Sequence, residues 1–436
     1  MTRIFVYAAL GVLVALPVRA LDIQEITTPG GIDAWLVEEP SIPFVALELR
    51  FRGGTSIDPE GAPGAVYLMT GLLEEGSGDM DARAFSEARD ALAAQISFDS
   101  GDDAVSISAR FLTETTDEAV ALIKSALTEP RFDEEAVERV RAQVISGLRS
   151  DAEDPDSIAG NAFSAMTYGE HPYGVPGEGT LESVAALSID DLQAAHQGAL
   201  ARDRVYAAAV GDISADEFAA LLDTLLADLP ETGAALPGPA DMTLEGGVTV
   251  IDYASPQSVV RFAQSGIPRD DPDFFPAFVL SQILGGSGFN SRLMVEVREK
   301  RGLTYGIYAF LADKDHADLF TGGAATSNQS AAELVDLVRS EWARIAEDGV
   351  TPEELDAAKT YLTGAYPLRF DGNGTIARIL VGMQMDDLGT DYIDTRNGKV
   401  EAVTLEDVQR VAGRLIDPDG LTFVVVGQPE GLTAGN

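Results

Sequence analysis

One unit is written twice in this chain. Residues Val184–Leu192 return as Val400–Val408, and Val205–Gly211 return as Leu421–Gly427. Both pairs share one offset, since 400 − 184 and 421 − 205 each give 216. Each copy reads as a helix opened by a hydroxyl N-cap, Ser188 or Thr404, and then a strand that ends at glycine. Glu134-Glu135 and Glu353-Glu354 open a further pair of similar helices at a slightly different offset. The period far exceeds the roughly 20–50 residues of a solenoid repeat, so it marks a duplicated domain. A chain of 436 residues also exceeds one ordinary core. The stretch Leu229–Pro239, rich in Pro, Gly and Ala and without apolar periodicity, separates the copies. The expected organisation is a leader at 1–20, a first copy at 21–230, a linker at 231–244 and a second copy at 245–436.

Within each copy apolar residues alternate. Val45, Leu47, Leu49 and Phe51 share one face of a strand, and Glu48, Arg50 and Arg52 the other. Val105, Ile107, Ala109 and Phe111 alternate in the same way with Ser106, Ser108 and Arg110. Period two with a polar face predicts antiparallel strands with one buried and one wet side. Helical stretches at 133–150 and 352–366 lie between strands. The predicted class is α+β: two homologous halves, each an antiparallel sheet covered by helices on one side.

Met1–Ala20 has a short positive region at Arg3, an apolar run from Ile4 to Val18, and a small-x-small site at Val18-Arg19-Ala20. That is the pattern of a signal peptide cleaved near Ala20, and the run is too short for a membrane-spanning helix of about 20 residues. The expectation is an exported protein, periplasmic or secreted, with no membrane span downstream. There is no cysteine, which excludes disulfides, thiolate metal sites and cysteine nucleophiles. A net charge of −41 repels nucleic acid and anionic lipid. It would favour basic peptides or a basic partner, although scattered acidic residues also serve solubility. The three histidines, His171, His196 and His316, have no metal-ligand spacing.

The most specific stretch is Leu284–Tyr308, which reads as the end of an apolar helix, a Gly285-Gly286-Ser287-Gly288 turn, a second helix and a strand from Tyr305. Gly302 caps the second helix. The glycine turn lacks the lysine of a phosphate loop. This block closely resembles the second-half signature of the pitrilysin/insulinase family of zinc peptidases, the inverzincins. Gly53-Gly54-Thr55 with Asp58-Pro59 and Gly64 resembles the family's entry to its catalytic helix, and His171–Gly174 with Gly179-Thr180 resembles a family loop. The resemblance covers nearly the whole mature chain. It implies the processing-peptidase type of fold, with two homologous α+β halves that enclose a peptide chamber with a second such pair.

Catalytic members carry His-x-x-Glu-His, two zinc ligands one helical turn apart and a glutamate that activates the metal-bound water, plus a distal glutamate ligand. Here those positions fall on Tyr67-Leu68-Met69-Thr70-Gly71 and on Ser146-Gly147. None is a good zinc ligand, so no metal is expected in this chain. In paired members of the family one chain holds zinc and the other holds an Arg and a Tyr seven apart. Arg298 and Tyr305 meet that spacing. Spacing alone leaves open a solvated helix Arg and a core Tyr. The resemblance implies that Arg298 binds peptide carbonyls or a carboxylate, and that Tyr305 donates to the oxyanion at a partner's zinc. Gly285, Gly286, Ser287, Gly288 and Asn328 are the expected substrate-binding positions. The partner implied is a homologous zinc subunit with an intact His-x-x-Glu-His, in a periplasmic heterodimer acting on peptides. The alternative is a non-enzymatic peptide-binding or scaffold protein on the same fold.

Overall fold

The structure, a computed structural model, is described for residues 21–288 and 290–432; the expected leader at 1–20 lies outside them. The first half builds a six-stranded sheet from β1 (Gln24–Thr27), β2 (Asp33–Glu38), β3 (Phe44–Arg52), β4 (Gln95–Ser100), β5 (Ala104–Leu112) and β6 (Val205–Gly211), in the order β1-β2-β6-β3-β5-β4. The second half builds a five-stranded sheet from β7 (Gly247–Asp252), β8 (Gln257–Ser265), β9 (Thr304–Lys314), β10 (Ala317–Ser327) and β11 (Thr422–Gly427), in the order β7-β11-β8-β10-β9. Without the extra edge strand β1, the two orders are the same. The 216-residue offset therefore lands β6 on β11 in space as well as in sequence.

The alternating apolar residues do what their period requires. Val45, Leu47, Leu49 and Phe51 are fully buried on one face of β3 and join Phe85, Phe111 and Phe218 in the first core. Phe262, Phe320, Phe423 and Trp342 centre the second, where the Trp342 indole donates to Gln264 at 2.8 Å. The α+β class and the helix-covered sheets are as expected. The sheets are not wholly antiparallel, however: β2 runs parallel to β6, and β7 to β11. Hairpin neighbours are antiparallel by construction, whereas these pairs join strands far apart in the chain through helical crossovers.

The second departure is larger. The polar face of β3 is not wet; Glu48 is 3 % exposed. It is covered by a helix from the other half, Asn373–Met385, which lays Ile376, Ala377, Leu380 and Val381 against Val37, Ala208 and Val210. In return, the first-half helix Pro155–Tyr168 lays Ala159, Phe163 and Tyr168 against Ala263, Val424 and Val426 of the second sheet. Adding 216 to 155–168 gives 371–384, so the two exchanged helices are the same element in each copy. Asp154 caps the first by accepting from the Ser157 amide at 3.0 Å.

Polar groups pin the exchange. Gln384 donates to the Ala207 carbonyl at 2.9 Å, Arg378 lies 3.5 Å from Glu48, and Arg52 donates to the Met385 carbonyl. Across the other contact, Arg261 donates to Asp156 at 2.6 Å and Tyr253 to the Glu153 carbonyl at 2.6 Å. Burial pushes Glu48 up to about 6, against the opposing pull of the Ser108 hydroxyl and Arg378. Residues 229–246 carry no helix or strand. They are held along the seam by His171, whose ring bonds the Gly238 carbonyl, and by Ala240 donating to the His316 carbonyl at 2.8 Å.

Candidate functional site

The helix Ala65–Thr70 carries four of the five positions on which the resemblance puts the family's metal motif. Its approach is fixed by Asp58, whose carboxylate accepts from the Gly64 and Val66 amides at 2.6 and 2.7 Å. Burial raises Asp58 to about 6 despite those bonds. Gly64 has φ +89°, and a Cβ there would stand 2.6 Å from the Glu178 carbonyl; Gly179 is equally tight against Pro63. The two glycine landmarks of the first half thus lock one loop onto another. Beyond them, Leu68, Met69 and Thr70 are buried in the core, and Thr70 donates to the Val66 carbonyl at 2.7 Å. Ser146 and Gly147 lie exposed on the helix Glu134–Asp151.

Among the described residues, no group of three or more His, Asp or Glu side chains is placed to hold a metal. His196 bonds the Leu127 carbonyl at 2.7 Å, and burial lowers its pKa. His171 and His316 serve the seam.

Arg298 and Tyr305 are brought together. Arg298 lies on Met294–Glu299, a wide π-type turn of helix in which Lys300 N reaches back to Val295 O at 3.0 Å. Such turns are uncommon and cluster at functional sites. Gly302, at φ +66°, ends the turn and delivers the chain into β9. There the register with β10 slips between Thr304 and Ile307, a bulge that carries Tyr305 and Gly306 out of the ladder. The result is a tyrosine 91 % exposed, with the Arg298 guanidinium 5.4 Å from its ring centre. A tyrosine that open would be a poor choice for packing.

Tyr305 borders a cleft of about 1040 Å³ together with Gly286, Ser287, Gly288 and Ser327. Three of the expected glycine-turn positions therefore face the same space. Gly288 needs its left-handed φ of +103°. Gly285 and Asn328 do other work. Gly285 lets the helix Phe274–Gly285 press against β9, since a Cβ would lie 2.5 Å from the Ala309 amide. Asn328 is spent internally: it donates to the Ser255 carbonyl and accepts from Ser258, both at 2.7 Å, and from the Gln428 amide.

Sequence reasoning did not single out Tyr308. It is half-exposed on the same edge strand, stacks on Phe310 with ring centres 6.0 Å apart, and is held by Arg261, which also grips Asp156 of the exchanged helix. The alternation of Tyr308 and Phe310 was the available signal; the Arg261–Asp156 tie spans 105 residues and left none.

Residues 34–180 match a family described as insulinase (peptidase family M16), and residues 186–362 match the peptidase M16 inactive domain. A solved structure of a peptidase M16 inactive domain from Pseudomonas fluorescens is 30 % identical, with a TM-score of 0.87 over 95 % of this chain and all of that one. This chain belongs to the peptidase M16 family. The resemblance to the pitrilysin/insulinase peptidases therefore holds, in the form of an M16 inactive-domain fold. A Helicobacter pylori relative named non-peptidase homolog YmxG is 26 % identical over 98 % of both chains. A Bacillus subtilis M16 relative named uncharacterized zinc protease YmxG is 23 % identical over 91 % of this chain and 96 % of its own.

Proposed function

We propose that this M16 chain is the zinc-less, substrate-binding subunit of a periplasmic heterodimeric metallopeptidase. A homologous partner with an intact His-x-x-Glu-His supplies the zinc. The observation that carries the reading is the exposed Tyr305, thrown out of its strand by a bulge and set beside Arg298 at the mouth of the glycine-lined cleft. Where the resemblance puts a catalytic relative's two histidine ligands, this chain has Tyr67 and Gly71, and where it puts the glutamate base, Thr70.

The roles follow from chemistry. The phenol of Tyr305 is a neutral donor suited to the oxyanion of a tetrahedral intermediate. The Arg298 fork suits a peptide carbonyl or a terminal carboxylate. Gly286, Ser287 and Gly288 leave room for an extended backbone to lie close. The partner's zinc would polarise the scissile carbonyl and activate water. No helix among the described residues is long and apolar enough to cross a membrane, and the signal pattern at 1–20 directs the chain to the periplasm in this reading.

Co-expression with a His-x-x-Glu-His homologue is expected to yield a complex that cleaves peptides and loses activity to a chelator. Each chain alone should be inert, and this one should hold no stoichiometric zinc. Tightly bound zinc in the isolated chain would overturn the assignment. The name non-peptidase homolog carried by the Helicobacter pylori relative favours a second reading, peptide binding or scaffolding without catalysis. That reading gains if the chain purifies as a self-associated, peptide-binding species and no zinc homologue co-purifies.

A further inference from the structure

A second cavity, of about 720 Å³, opens beside the exchanged helix Asn373–Met385. Five arginines line it: Arg50 from β3, and Arg269, Arg369, Arg378 and Arg396 from the second half. Its lining carboxylates are Asp371 and Asp386. The chain has 71 acidic and 30 basic residues, so a random patch of this surface would be acidic. Here the balance is reversed.

Asp386 and Asp313 act on Arg269, and Glu48 and Asp386 on Arg50, only from beyond ion-pair distance. Among the described residues, Arg378 alone of the five has a carboxylate within ion-pair distance, Glu48 at 3.5 Å. Arg269 is held over the Phe274 ring at 4.7 Å and donates to the Tyr392 hydroxyl at 3.0 Å. Arg396 lies over the Tyr366 ring at 4.4 Å and donates to the Leu362 carbonyl at 2.8 Å. The Arg50 Nε is buried without a hydrogen-bond partner, and Arg369 is exposed. Aromatic faces and carbonyls position a guanidinium but leave its formal charge in place. Burial, with the Arg369 charge nearby, presses the Arg396 pKa below the usual guanidinium range. A multiply charged anion would relieve that repulsion. The volume lies within the roughly 300–1,000 Å³ of small-ligand pockets, more than one inorganic ion needs.

We propose that this arginine-lined cavity is a binding site for a small organic polyanion, one carrying two or more phosphate or carboxylate groups, at the seam between the two halves. Guanidinium forks donate to either group in bidentate fashion. Because Arg50 belongs to the first sheet and the other four to the second half, the ligand bridges the exchanged contact. The inference does not rest on the peptidase reading.

The test is calorimetric titration of the mature full-length chain with pyrophosphate and, separately, with citrate, at about 0.15 M chloride to screen long-range attraction. One-site saturable binding of at least one probe is expected, and the tighter of the two distinguishes phosphate from carboxylate recognition. Arg369→Glu or Arg50→Gln should weaken it tenfold or more, while Arg83→Glu, on an exposed helix elsewhere, leaves it unchanged. Absence of saturable binding to the wild type overturns the proposal. So does affinity retained in both cavity variants, or affinity lost equally in the Arg83 control.

Discussion

Leu380 is the sharpest probe of the helix exchange. It belongs by sequence to the second half, yet its side chain is fully buried against Val37, Ala208 and Val210 of the first sheet. Leu380→Ala removes three carbons. At about 0.8 kcal/mol each that is roughly 2.4 kcal/mol of transfer free energy. The cavity left behind adds to it, and buried Leu→Ala changes run about 2.7–5 kcal/mol. We expect about 3 kcal/mol, a large fraction of the roughly 5–15 kcal/mol that holds a typical domain. The chain's two tryptophans make the assay selective. Trp35 lies on β2 and packs against the Leu380 cluster, whereas Trp342 sits in the second core. With each replaced in turn by Phe, guanidinium unfolding reports one half at a time. The Leu380→Ala change should lower the midpoint seen by Trp35 along with that seen by Trp342. A Trp35 midpoint unmoved by Leu380→Ala would refute the view that the exchanged helix supports the first sheet.

Three further outcomes are expected. Gly64→Ala meets both a left-handed φ and the Glu178 carbonyl, so it should cost at least about 1–2 kcal/mol in thermal denaturation. Gly147→Ala, in open space within a helix, should instead stabilise by up to about 1 kcal/mol. Glu48, raised to about 6, holds its proton more tightly folded than unfolded, so its contribution to stability falls as pH rises from its model-compound value of 4.5 through 6 and is level above. The loss is about 2 kcal/mol. Glu48→Gln should therefore raise the melting temperature at pH 7.5 and leave it nearly unchanged at pH 4; an equal gain at both would remove burial of the charge as the cause.

Much of the fold was legible because a repeated segment and a period of two can both be read along the chain without knowing what packs against it. The shared offset told of two copies, and the apolar faces of β3 and β5 were read correctly. What escaped was contributed from a distance. Glu48, Arg50 and Arg52 look like a solvated stripe because the sequence near them holds nothing to cover them; the cover is some 330 residues away, as the 333-residue span of the Arg52–Met385 bond illustrates. The parallel pairs escaped for the same reason. In the candidate site, the pairing of Arg298 with Tyr305 was legible through family resemblance. The bulge that exposes Tyr305 was not, because a bulge is a mismatch between two strands and is invisible in either alone. Asn328 drew attention as a polar loop residue, yet its amide fastens Ser255, Ser258 and Gln428.

The most direct measurement is turnover of a peptide by the reconstituted complex with Tyr305→Phe and with Arg298→Ala in this chain. The phenyl ring keeps the packing and removes one hydroxyl donor. Loss of one oxyanion donor is typically worth about 10²–10³ in turnover. The expected result is a fall of that order for Tyr305→Phe and a strong fall for Arg298→Ala. The melting temperature of this chain and the zinc content of the partner should stay unchanged. Wild-type turnover in both variants would contradict the assignment of this chain as the subunit that completes the partner's zinc site.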